Sequence, residues 1–514
     1  MTIIEAMEDP RIFRPLFKDL STWRMWSILL AAIFGLPVMD PADIPLFIGC
    51  TGWNSWPLEK IREAFIICGR RSGKSYISAL IAVYLACFKD WRAYLSPGER
   101  GWIFIIAVDK MQAGIIKQYV SGFLQAVPVL RAKVERETAE AIDLKGSISI
   151  AVKTCSFRSV RGYTLLAAIL EELAFYRSEE SANPDKEVLA AIRPSLETVP
   201  GSLLLGISTP YSKSGALWTA FKDYFGKPGG PLIWKAPSTV MNPTLRPESI
   251  ARAIAEDPEA AKAEWLAEFR SDISNFIPSD LIEALVVPGR LELQPEPGVR
   301  YQAFADPAGG SGQDSFALAI AHRNAEGRVI LDCLREKRPP FNAEAVVEEL
   351  AEVLRTYRVT TVRGDRYAGS WPSQSFERRG ITYTISEKVS SEIFADVLPL
   401  FTSGAVELLD QKRLRIQLSN LERRVRPGGK DVIGHGPGGH DDLAVVTSGV
   451  VLMAAKSGAS VGRVFIHGER VSGPPDPKGM PQKRRVWFVK TPKIDVGQVI
   501  RSMTRGGSKP SDEE

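Results

Sequence analysis

At 514 residues the chain is longer than one ordinary hydrophobic core supports, so two or three domains are expected. Its 45% hydrophobic and 24% charged content is that of a globular protein, and a net charge of +5 permits contact with a polyanion without demanding it. Cys50, Cys68, Cys87, Cys155 and Cys333 form no CxxC pair, which excludes a disulfide framework or zinc ribbon and fits a reducing cytoplasm. The best candidate for a membrane span, residues 25–39, is short and interrupted by Gly35 and Pro37. It also lacks a small-residue cleavage site and reads as a buried helix, so neither a membrane anchor nor a signal peptide is expected.

In chain order, residues 1–56 are rich in Trp, Pro and apolar residues and are expected to form a helical segment packed on the next domain. Residues 57–245 then alternate between strand and helix patterns. Strands are expected at 64–68, 102–108, 147–153, 165–171 and 202–208, and helices at 74–88 and 111–126. Continuous apolar strands alternating with helices predict a parallel-rich α/β sheet. A helical connector is expected over 246–298, its end marked by Pro288, Pro295 and Pro297 with Gly289 and Gly298. A second α/β alternation fills 299–456, with strands at 301–306, 316–322, 328–334 and 359–365, a helix at 343–357, and a last helix from near Asp441. The tail, 457–514, is rich in Pro and Gly and basic at Lys483-Arg484-Arg485, a composition expected to be disordered or loosely docked.

Two sets of residues carry chemistry. The run Gly69-Arg70-Arg71-Ser72-Gly73-Lys74-Ser75 follows a strand and opens a helix, as a phosphate-cradling loop does. Gly73 lets the backbone approach a phosphate, Lys74 supplies charge to the β- and γ-phosphates of ATP, and Ser75 supplies a hydroxyl to Mg²⁺. The strict motif has its first glycine where Cys68 stands; Gly69 comes one position later. The apolar strand 165–170 ends in Glu171-Glu172, where the first acid can hold Mg²⁺ and the second can polarise the attacking water. A third strand ends in Ser208-Thr209-Pro210, which fits either a γ-phosphate contact or a plain turn. Arg158 and Arg161 are both candidates for an arginine finger.

The second set is acidic. Asp306 and Asp365 end two strands, and His440-Asp441-Asp442 opens the last helix. Strand ends and a helix start of this kind can converge on one sheet rim and hold two Mg²⁺ or Mn²⁺ ions through oxygen. Asp441 also suits a helix cap, and the pattern leaves open whether Asp441 or Asp442 faces a metal.

The glycine loop, Gln112-Ala113, Arg161-Gly162, the paired acids and Ser-Thr-Pro stand in an order that resembles the large subunit of the phage terminase family. The resemblance spans about residues 50–450, with Cys68 in the loop and Glu171 in place of the more usual Asp as its departures. It implies an N-terminal P-loop ATPase domain and a C-terminal RNase H-like nuclease domain with a mixed sheet. It further implies ATP-driven movement of double-stranded DNA into a procapsid and metal-dependent cutting of concatemers, in the cytoplasm of an infected bacterium. Implied partners are a portal protein, a terminase small subunit and further copies of the chain in a ring on the portal, with a monomer in solution. Arg363, Arg366, Arg423, Arg424 and Arg426 are candidates for DNA phosphate contact, and Trp487-Phe488 for portal contact. A helicase-nuclease or repair ATPase, and a non-catalytic capsid-assembly protein with degenerate sites, are the alternative readings.

Overall fold

The computed structural model describes residues 1–155, 162–178, 181, 183–365, 371–425 and 431–457. The first large sheet contains β1 (Glu63–Cys68), β2 (Gly101–Ala107), β3 (Val134–Glu137), β4 (Ala141–Leu144), β5 (Ile148–Thr154), β6 (Thr164–Glu171), β7 (Leu203–Ser208) and β8 (Leu232–Ala236). Its strand order is β3-β4-β5-β2-β6-β7-β1-β8. From β5 to β8 every neighbouring pair is parallel, and β4 and β3 add on antiparallel. The parallel strands are apolar without alternation because both faces are covered: Leu165 to Leu170 and Leu203 to Ile207 are all buried. Since β6, β7 and β1 lie side by side and parallel, their C-terminal ends open on one edge. Ile207 stands beside Glu171, and Ser208 beside Ile67.

One face of this sheet packs against the helix Lys74–Phe88 and the N-terminal segment in a single apolar core, which includes Ile3, Trp26, Leu29, Phe47, Ile66 and Leu80. The expected helix at 25–39 runs only over Arg24–Ile33. It stops because Gly35 takes φ +64°, where the chain comes so close to Lys60 that an added Cβ would stand 2.8 Å from its backbone nitrogen. β3, β4 and β8 have no counterpart in the expected elements. β3 is short, polar and mostly exposed, and β8 is enclosed by Pro and Gly at both ends, so neither carries a long apolar run.

The connector is helical over Pro247–Glu256, Pro258–Leu266 and Ser279–Leu285, with β9 (Ile273–Asn275) before the last of them. β9 pairs with a strand about 150 residues further along the chain, a register no local pattern encodes. The second large sheet contains β10 (Tyr301–Asp306), β11 (Phe316–Arg323), β12 (Val329–Lys337), β13 (Thr361–Gly364), β14 (Thr382–Ile385) and β15 (Val406–Glu407), in the order β14-β13-β10-β11-β12-β15. β10, β11 and β12 are antiparallel, whereas β13 and β14 run parallel to β10, so the sheet is mixed. The helix Asp442–Lys456 lies on this sheet, with Gly449 against the Phe304 ring where an added Cβ would be 2.6 Å away. β16 (Leu421–Arg424) and β17 (Val432–His435) complete a small antiparallel sheet with β9. Among the described residues no helix is long and apolar enough to cross a membrane.

Candidate functional sites

The glycine loop leaves β1 and wraps the start of the helix Lys74–Phe88. Cys68 is the buried last residue of β1, and Gly69 takes over the tight approach: an added Cβ there would meet Ser238 Oγ at 2.1 Å and the Glu264 carbonyl at 2.6 Å. Gly73 has φ +92° and Arg71 φ +61°. The loop is held from outside by Trp26, whose Nε1 donates to the Ser72 carbonyl at 2.6 Å, and by Ser238 and Asn242, which donate to the carbonyls of Arg70 and Arg71. A cleft of about 1360 Å³ opens beside it, lined in part by Arg70, Arg71, Gly73, Lys74, Ser75 and Glu172.

Lys74, only 7% exposed, donates to Thr209 Oγ1 at 2.8 Å and pairs with Glu172 Oε1 at 3.3 Å. Burial opposes its charge, yet Glu172, Cys68 and Glu171 outweigh that and hold its pKa above the usual lysine range. The two adjacent acids face different partners. Glu171 is fully buried; it accepts from Ser75 Oγ at 3.1 Å and from Ser78 Oγ. Burial pushes its pKa up to about 7 against those hydrogen bonds, with Glu172 adding repulsion. Glu172 adopts a left-handed backbone (φ +52°), which turns its side chain toward Lys74 and the amide of Thr209, 3.0 Å from Oε2. Ser208 is buried beneath and donates to Glu172 at 3.3 Å, so Thr209 is the member of that pair that reaches Lys74. Gln112 Nε2 reaches Ser75 Oγ at 3.4 Å. Arg158 and Arg161 lie outside the described residues, as do Arg366, Arg426 and the tail 458–514.

On the second sheet, Ala305 pairs with Gly364, so Asp306 and Asp365 follow on adjacent parallel strand ends. Only glycine permits that approach: a Cβ on Gly364 would lie 2.2 Å from Tyr383 Oη and 2.4 Å from the Ala305 carbonyl. Asp306 is surrounded by acids. Burial holds its pKa well above the carboxylate range, and the charges of Asp442, Asp365, Asp441 and Asp314 raise it further. Asp441 sits at the helix start, but its side chain caps no first-turn amide; it accepts from the His435 N–H at 3.2 Å. Gln417 Oε1 caps the helix instead, taking the amides of Leu443 and Ala444 at 2.7 and 3.2 Å. Asp442 accepts from the Ser315 N–H at 3.3 Å. Sequence reading missed Gln417, Ser315 and Tyr383, because each acts through an element remote in the chain.

Among the described residues, no group of three or more His, Cys, Asp or Glu side chains is placed to hold a metal ion. Burial above all raises the pKa values of Asp306, Asp441 and Asp442, and neighbouring acids add repulsion. Of the arginines considered for phosphate contact, Arg363 is exposed on β13, whereas Arg423 is paired with Asp431 and Arg424 with Glu422.

No family model and no curated protein matches the chain. Solved structures do. It is similar to the large terminase of bacteriophage HK97 at 17% identity and a TM-score of 0.34, over 83% of this chain and 99% of that one. It is similar to the ATPase domain of the Thermus phage P74-26 large terminase at 18% identity and a TM-score of 0.33, over 47% of this chain and 97% of that domain. For the large terminase nuclease of thermophilic phage G20c the values are 20% and 0.31, over 34% and 97%. All three are phage large terminases, the family that the ordered motifs resemble. At these identities the likeness assigns no role to any side chain.

The acids of the second sheet give a measurable pH signature. Burial pushes Asp442 up to about 6, opposed by the Ser315 amide and the His440 charge and assisted by Asp314 and Asp441. The folded chain thus keeps this proton to higher pH than the unfolded chain, and the contribution of Asp442 to stability falls as pH rises from about 4 to about 6, then levels off. Asp442→Asn is expected to flatten that slope and to add roughly 2–3 kcal/mol at pH 8 without divalent ions. Urea titrations of both proteins at pH 5 and pH 8 check this; identical pH profiles would show that the acid is not buried as described.

Proposed function

We propose that the chain is a terminase large subunit: an ATP hydrolase that drives double-stranded viral DNA into a procapsid, and an endonuclease that cuts concatemeric DNA. The observation that carries this reading is the coexistence in one chain of a Lys74–Glu172–Thr209 constellation on a parallel sheet edge and an Asp306-centred acid cluster on a mixed sheet edge. In the first site Lys74 holds the β- and γ-phosphates, Gly69 to Gly73 cradle them, Ser75 and Glu171 hold Mg²⁺, and Glu172 orients the attacking water with Thr209 beside it. Arg158 or Arg161 supplies positive charge to the phosphoryl group in flight. In the second site Asp306, Asp365 and one or both of Asp441 and Asp442 hold Mg²⁺ or Mn²⁺. Such ions, when bound, supply Lewis-acid charge to the phosphate oxygens of DNA.

Proposed partners are double-stranded DNA, a portal protein, a small subunit and further copies of the chain in a ring on the portal, in the cytoplasm of the bacterial host. The helicase-nuclease reading needs a second motor lobe. The second large sheet, antiparallel at its centre, is not one. The test is direct: one preparation is assayed for ATP hydrolysis, for Mn²⁺-dependent plasmid cleavage, and for packaging into procapsids bearing the portal. Absence of both hydrolysis and cleavage overturns the proposal, and duplex unwinding without a portal would favour the helicase-nuclease.

A further inference from the structure

Two short stretches of chain lead from the nucleotide cleft to a single carboxylate in the second half of the protein. Beyond Glu172 the short turn Leu173–Phe175 delivers Arg177, whose Nη2 donates to Glu422 Oε1 at 3.2 Å. Beyond Thr209 and Pro210, Tyr211 Oη donates to Glu422 Oε2 at 2.8 Å. Arg424 Nη2 adds a third donor to Oε2 at 3.2 Å. The Glu422 side chain is only 8% exposed, so its charge depends on these partners and not on water.

On its other side Glu422 governs the segment that carries a donor to the acid cluster. Glu422 pairs with Gly434 across the β16–β17 hairpin, and Leu421 with His435, whose N–H holds Asp441. Arg424 Nη2 donates at the same time to the His435 carbonyl at 2.9 Å. Gly436 lies so close that an added Cβ would stand 2.5 Å from the Glu422 carboxylate. No slack separates the carboxylate from the turn that precedes Asp441.

We propose that Glu422 is a positioning residue for the nuclease acids, held by Arg177 and Tyr211 so that the nucleotide state of the first site alters the placement of Asp441. This rests on the reading of the two sites given above. The physical ground is that a buried carboxylate is stable only with its donors in place. A shift of the strand end at Thr209, or of the turn after Glu172, therefore moves the hairpin with it or leaves an unpaired buried charge. Coupling of this kind is a difference in one site's behaviour set by occupancy of the other.

The experiment uses the full chain and measures plasmid cleavage with Mn²⁺, with and without a saturating non-hydrolysable ATP analogue, alongside ATP hydrolysis. Cleavage by the unaltered chain is expected to change on the order of 5-fold or more when the analogue is added. Tyr211→Phe removes one hydroxyl and keeps the ring beside Phe175, whose centroid is 5.2 Å away. It is expected to shrink that response below about 2-fold and to leave nucleotide-free cleavage and ATP hydrolysis within about 2-fold of the parent, against typical couplings of roughly 5-fold upward. Glu422→Gln is expected to lower nucleotide-free cleavage as well, and where it fails to fold, Tyr211→Phe still decides. A parent chain with both activities but no response to the analogue overturns this proposal and spares the functional reading. So does a full response in Tyr211→Phe. A parent chain without either activity defeats the functional reading and this proposal together.

Discussion

Lys74→Ala is expected to lower ATP hydrolysis by on the order of 10²-fold or more. Lys74 is the buried cation of the first site, and it faces Glu172 and Thr209 where three neighbouring strands end. A positive charge in a site shielded from water acts with far more force on phosphate oxygens than one in solvent, and no other described cation is held at that place by the loop carbonyls, which accept from Lys74 Nζ at 3.1 and 3.3 Å. The substitution also leaves Glu172 without its partner, so folding is checked in the same preparation by thermal melting. Mn²⁺-dependent plasmid cleavage without nucleotide, measured alongside, reports whether the change also reaches the second sheet. Steady-state hydrolysis within a few-fold of the parent, in a folded variant, would remove the motor assignment.

Asp306→Asn is expected to do two things at once: abolish plasmid cleavage, by on the order of 10²-fold or more, and raise the melting temperature of the metal-free protein at pH 8. The second effect follows from sign. Burial, reinforced by Asp442, Asp365, Asp441 and Asp314, disfavours the charged form of Asp306, so its pKa in the folded chain lies well above the unfolded value. Ionisation at pH 8 therefore works against the fold, and a neutral amide of the same shape relieves it. A carboxylate kept only for structure gives the opposite result, because its loss would lower the melting temperature. Adding Mn²⁺ should stabilise the parent chain by mass action and the variant much less. A variant that cuts like the parent, or that melts lower at pH 8, would remove Asp306 from the proposed site.

The order of elements and the edges on which the acids lie were legible from residue patterns. Apolar runs such as Leu165 to Leu170 and Leu203 to Leu205 announce strands covered on both faces, and hence a parallel sheet whose loops gather at one edge. Strands ending at Asp306 and Asp365 were also expected, and the structure places the two acids at the ends of adjacent parallel strands. Elements without a long apolar run escaped it: β3, β4, β8 and β9 are short or polar, and β8 and β9 also take their place from partners far along the chain.

By itself the sequence determined the kind and order of the longer elements, because periodicity and turn chemistry act over a few residues. Tertiary structure alone decided which neighbouring side chain faces which partner. It separated Glu171, buried against Ser75 and Ser78, from Glu172, turned by a left-handed residue toward Lys74. It freed Asp441 from capping its helix by supplying Gln417, and brought Arg177 and Tyr211 onto Glu422. Each of these depends on strand register and close approach between segments tens to hundreds of residues apart, and contacts at that range leave no periodic mark on the chain.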